Sequence, residues 1–131
     1  MIGLDTNVLV RYIMQDDAKQ SPKATALMES LTIDAPGFVS LVSIVELGWV
    51  LSVSYGLSRE QVAQALELLL RTKEVLTDHA EQVAQALRAF KAGSADFADC
   101  LIERSAAGAG CDRTMTFDVG AAKAAGMTLI R

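Results

Sequence analysis

Residues 1–10 read MIGLDTNVLV, and this stretch decides the fold class. Ile2–Leu4 is a short apolar run of the kind that forms a buried strand, and it ends directly on Asp5. Thr6 or Asn7 can cap a helix that begins at Val8. A strand passing through an acid into a helix is the repeating unit of a parallel α/β sheet. In such sheets, ligands and ions bind beyond the C-terminal ends of the strands. Asp5 therefore has two possible uses, one mechanical at the strand–helix turn and one chemical.

The same alternation continues along the chain. A helix spans Val8–Met14, and Ser21-Pro22 starts another that runs to about Leu31. Gly37–Ser40 is a second strand. Ser43-Ile-Val-Glu46 opens a long helix ending near Gly56, and Ser58-Arg-Glu-Gln61 opens the next. Glu74–Thr77 is a strand or a linker. Helices follow over Glu81–Ala92, stopping at Gly93, and from Asp96 to about Ala107. Thr114–Phe117 is a strand, Val119 starts a short helix ending at Gly126, and Thr128–Ile130 is the last strand. This pattern predicts an α/β chain with a short, mainly parallel sheet covered on both faces. No linker interrupts it, so residues 1–131 are expected to form one domain. The heptamer EQVAQAL occurs at Glu60–Leu66 and again at Glu81–Leu87, but the flanking residues differ, and two copies do not make a solenoid.

The chain has 131 residues, 51% hydrophobic and 21% charged, which is a globular composition. Sixteen acidic residues against twelve basic ones give a net charge of −4. That balance opposes broad electrostatic binding of nucleic acid, unless grouped carboxylates hold cations. Two cysteines and one histidine are too few for a closed zinc site and suggest no disulfide framework, so a cytoplasmic setting is expected. No signal peptide is evident. The stretch Gly37–Leu57 carries one charge, Glu46, and four serines that break it into shorter elements, so no membrane span is expected.

Four further acids stand where surface charge is not expected. Glu46 lies in SIVELGWVL, Asp96 and Asp99 in SADFADCLI, and Asp118 ends TMTFD. In a parallel sheet, Asp5 and Asp118 would close strands, while Glu46 and Asp99 would sit in the first turns of helices leaving the same edge. Each has a capping alternative: Glu46 as the partner of Ser43 in a capping box, Asp96 as an N-cap, Asp99 against the helix dipole, and Asp118 as a cap. Gathered together, like charges oppose folding unless a cation neutralises them. An all-oxygen donor set without histidine or cysteine suits Mg²⁺ or Mn²⁺.

The segments LDTNVLVRY, SIVELGWVL, DFADCLI and TFD followed by a hydrophobic strand resemble, in order and over nearly the whole chain, the PIN-domain family, in particular its VapC-type toxins. The resemblance implies a three-layer α/β/α sandwich and an Mg²⁺- or Mn²⁺-dependent endoribonuclease. It also implies a homodimer held in check by a cognate antitoxin. It assigns the acidic residues to Asp5, Glu46, Asp99 and Asp118, with Asp96 assisting through water. Thr6, Asn7 and Thr116 are candidates to support the acids, and Thr116 shares a strand face with Asp118. Arg11 on the first helix is a candidate phosphate contact. The two most apolar helices expose too little polar surface to face water all round, so a partner interface is expected there, anchored by Tyr12 and Trp49.

Two other function classes compete. A haloacid-dehalogenase-like phosphatase also begins with a strand and an aspartate, but it needs a second acid two residues on, where this chain has Asn7. A catalytically silent partner-binding module of the same fold is the non-enzymatic alternative, and metal-dependent cleavage of RNA separates it from the nuclease.

Overall fold

The computed structural model describes all residues, Met1–Arg131. The chain forms two compact units, Met1–Asp78 and His79–Arg131, described here in turn.

The first unit contains β1 (Ile2–Gly3), α1 (Thr6–Met14), α2 (Gln20–Ser30), β2 (Gly37–Val39), α3 (Leu41–Trp49), α4 (Arg59–Arg71) and β3 (Val75–Thr77). Its three strands pair in parallel in the order β1-β2-β3, with Ile2 opposite Gly37 and Gly37 opposite Val75. Gly37 is needed for close approach: a Cβ there would stand 2.7 Å from Leu4 Cδ1 and 3.0 Å from Leu31 Cδ1. The core is apolar, built on Leu9, Val39, Ile44, Leu47, Leu51, Val62 and Leu66.

Helix starts in this unit differ instructively from the sequence expectation. Asp5, rather than Thr6 or Asn7, is the N-cap of α1, its Oδ1 accepting from the Thr6 N–H at 2.7 Å. α2 begins at Gln20, one residue before Ser21-Pro22. Asp17 serves its start, accepting from the N–H groups of Lys19 and Gln20 at 2.9 and 2.7 Å. Helix α3 begins at Leu41 rather than Ser43. Ser40 Oγ accepts from the Ser43 N–H, and the Asp78 carboxylate accepts from the Leu41 N–H. Glu46 is consequently the sixth residue of α3, in its second turn, and partners no capping box. The box expected at Ser58 and Gln61 does form at the start of α4. After Trp49 the helix widens into a π turn, Val50–Ser54, in which the Tyr55 N–H bonds the Val50 carbonyl. Gly56, at φ +64°, ends it.

The second unit contains α5 (Ala80–Ala92), α6 (Phe97–Gly108), β4 (Met115–Thr116), α7 (Val119–Ala124) and β5 (Thr128–Leu129). α5 packs against α6, with Phe90 and Phe97 meeting edge to face at 6.1 Å between ring centroids. β4 and β5 pair in parallel, Met115 opposite Thr128. These strands form a two-stranded sheet of their own rather than extending the first sheet. Both are a residue or two shorter than expected. No helix in the chain is long and apolar enough to cross a membrane.

Candidate active site

In the first unit, the strand-to-helix turn and the α3 face meet at a cleft of about 490 Å³, lined by Asp5, Thr6, Asn7, Arg11, Glu46 and Tyr55, with Val10 and Val50 as apolar walls. Asp5 and Glu46, far apart in sequence, thus share one cavity. Glu46 projects from the exposed side of α3 and is free of any capping duty. Asp5 caps α1 through Oδ1 alone, which leaves Oδ2 available. Thr6 is only 5% exposed, yet its hydroxyl has no hydrogen-bond partner. A buried hydroxyl without a partner costs about 1–3 kcal/mol unless a ligand or water completes it.

Arg11 is not a free cation. Its Nε donates to Gln20 Oε1 at 2.8 Å, and its Nη1 donates to Asp16 Oδ1 at 3.1 Å and to the Tyr55 hydroxyl oxygen at 3.2 Å. Asp16 and Tyr55 were not among the residues singled out from the sequence. Tyr55 could have been noticed as the one aromatic group just before the helix-ending Gly56, but nothing local ties it to Arg11.

In the second unit, two helix starts carry the remaining acids. Asp96 caps α6, its Oδ1 accepting from the Asp99 N–H at 2.7 Å. Asp118 caps α7, its Oδ1 accepting from Gly120 and Ala121 at 2.7 and 3.2 Å. Thr116 does support Asp118, but through the main chain: the Asp118 N–H donates to Thr116 Oγ1 at 3.0 Å. The Asp99 carboxyl is half-buried and is pushed above the usual carboxylate range, first by burial and then by the negative charges of Asp96 and Asp118. Asp99 therefore lies within reach of the negative charges of Asp96 and Asp118. Capping and ligation do not compete at Asp5, Asp96 or Asp118, since each spends only one oxygen on its helix.

The donor chemistry fits a hard cation, being carboxylate and hydroxyl oxygen throughout. No group of three or more acidic, imidazole or thiol side chains is arranged as a formed metal site. Tyr12 is half-buried in α1, whereas Trp49 is 60% exposed, on the side of α3 that carries Glu46 one turn earlier.

No curated protein matches the sequence. Among solved structures, the chain is similar to VapC20 of Mycobacterium tuberculosis, described as a sarcin-ricin loop cleaving toxin. The two share 19% identity over 100% of this chain and 99% of that chain, with a TM-score of 0.48. The family profile described as PIN domain matches residues 2–127, a span that takes in all four boundary acids and both units, so the chain belongs to the PIN domain family.

Proposed function

We propose that the chain is a divalent-metal-dependent endoribonuclease, the toxin of a VapBC-type toxin–antitoxin pair, with Asp5, Glu46, Asp99 and Asp118 as the metal ligands. The observation that carries this reading is the sharing of one cleft by Asp5 and Glu46, in a chain whose PIN-domain match spans residues 2–127. The raised Asp99 carboxyl supports it from the second unit, because clustered acids are stable when a cation offsets them. The family match running through both units also supports reading residues 1–131 as one domain.

Mg²⁺ or Mn²⁺, held by these four carboxylates, would supply a nucleophilic hydroxide and stabilise the leaving oxygen in phosphodiester hydrolysis. The protein's own contribution is placement. The helix-capping bonds of Asp5 and Asp118 fix one oxygen of each carboxylate and so aim the other. Thr116 holds the main chain at Asp118, and Asp96 fixes the turn that carries Asp99. Asn7 adds an amide to the cleft mouth, where a phosphatase of the haloacid-dehalogenase type would need an acid.

A homodimer and a cognate antitoxin complete the proposal. Val42, Trp49 and Val53 are all exposed along one stripe of α3 and the π turn, at a spacing that suits a helix–helix contact. Cleavage of single-stranded RNA with and without Mn²⁺, by the purified chain alone and with its antitoxin, tests the reading. Metal-dependent cleavage that the antitoxin suppresses supports it, and an inert protein rejects it.

A further inference from the structure

Arg11 lines the cleft of Asp5 and Glu46 and also a smaller one beside Gln20, and its guanidinium is held at two of its three nitrogens. Nε is taken by Gln20, while Nη1 is shared by Asp16 and Tyr55. The ring closes because the Tyr55 hydroxyl donates to Asp16 Oδ2 at 2.7 Å. The Asp16 carboxyl is held below its ordinary range, chiefly by the Tyr55 hydroxyl and further by Arg11, so it is ionised at neutral pH. The Arg11–Asp16 pair is then neutral overall and attracts RNA little at long range. What the ring supplies is orientation, since a planar fork with its rotamer fixed loses less entropy when it binds.

The Nη2 group is left over, and its two N–H donors have no protein partner. Thr6 lines the same cleft as Arg11, and its hydroxyl, buried beneath that surface, has no partner either. An exposed ion pair contributes little to stability, and support of the α1–α2 turn alone would not require Tyr55 as a third member of the ring.

We infer that Asp16 and Tyr55 are positioning residues, which hold Arg11 so that its free Nη2 group donates to a non-bridging oxygen of a substrate phosphate in the cleft. This rests on the ribonuclease reading above. Lysine cannot replace it, because a single ammonium on a flexible stem cannot be held at two separate donor nitrogens while a third stays free.

The test is a double-mutant cycle on steady-state cleavage of a short single-stranded RNA by the Mn²⁺-loaded protein. Arg11→Ala and Arg11→Lys should each raise KM about tenfold or more, and only the alanine variant should flatten the salt dependence of KM, by about 0.7 in log–log slope. Tyr55→Phe should raise KM about three- to tenfold with kcat within about twofold, the cost of freeing one ordered side chain. In an Arg11→Ala background the same change should add nothing. Gln20→Ala, on an exposed side chain, gives a second and milder perturbation of the same fork if Tyr55→Phe lowers the melting temperature. Equal KM factors for Tyr55→Phe in both backgrounds would overturn the inference, as would a Tyr55 or Gln20 variant that melts lower but keeps the wild-type KM. An active wild type with uncoupled Arg11 and Tyr55 rejects this inference alone. A wild type inert toward RNA with metal rejects the ribonuclease reading and this inference with it.

Discussion

The hydroxyl of Thr116 accepts a hydrogen bond from the backbone N–H of Asp118 at 3.0 Å. The strand β4 ends at Thr116, and α7 starts at Val119, so this bond closes the turn between them. Asp118 has its N–H fixed from behind and one carboxylate oxygen fixed from ahead, and its direction is set by both.

Thr116→Val keeps the shape and β-propensity but removes the acceptor. We expect a stability loss of about 0.5–1.5 kcal/mol and a fall in RNA cleavage on the order of 10–100-fold, the range typical of groups that support a metal ligand. Thr116→Ser should restore most of the activity. Thermal melts and cleavage rates measured side by side check this. Full activity in the valine variant would reduce Thr116 to a turn former.

Glu46→Gln separates ligation from helix stability. Since Ser40 and Asp78 cap α3 and Glu46 lies in the second turn, the exposed carboxylate has no structural duty that glutamine would lose. Stability should stay within about 0.5 kcal/mol, while metal-dependent cleavage is lost, glutamine being a poor ligand for Mg²⁺. An equally stable, fully active variant would remove Glu46 from the site.

How far the sequence could be read is clearest at these helix starts. Ser58 and Gln61 give a capping box that forms as expected, because no competing cap stands nearby. Around α3, Ser40 and Ser43 compete. The choice falls to Ser40 because Asp78, at the end of β3, reaches the Leu41 N–H, a contact no local pattern encodes. Asp96 and Asp118 were legible as caps because each directly precedes a recognisable helix, whereas Glu46 lies in the second turn of α3 and not at its start. The partners of Arg11 were not, since Tyr55 arrives from 44 residues away through a π turn. The separate pairing of β4 with β5 was equally hidden, because two-residue strands carry almost no periodicity of their own.

Asp99 makes a pH-dependent prediction. Its carboxyl titrates above the ordinary range in the folded protein, by burial and by the charges of Asp96 and Asp118, while in the unfolded chain it titrates near about 3.9. Below that value both states hold the proton, and the group contributes nothing. As pH rises, the unfolded state ionises first and the folded state binds more protons, so stability falls with pH until the folded group ionises too. In chelator, Asp99→Asn should therefore melt higher than wild type near neutral pH, and the difference should shrink toward zero in acid. A difference that is constant with pH, or of opposite sign, would show that the three acids do not crowd one another.

Metal binding gives an independent reading of the same groups. A ligand that binds only the folded state stabilises it by about 2.7 kcal/mol at a hundred times its dissociation constant. Added Mn²⁺ should raise the melting temperature of the wild type, and less so that of Asp5→Asn or Asp99→Asn. Equal shifts in all three proteins would place the ion elsewhere.

The most direct measurement is cleavage of single-stranded RNA by the purified chain, with Mn²⁺ and with chelator, alongside Asp5→Asn and Asp118→Asn. The account predicts cleavage by the wild type with metal only, and a loss in each variant well beyond the roughly 10–100-fold expected of merely supporting groups. Cleavage that survives the chelator, or that proceeds at the wild-type rate in either variant, would contradict it.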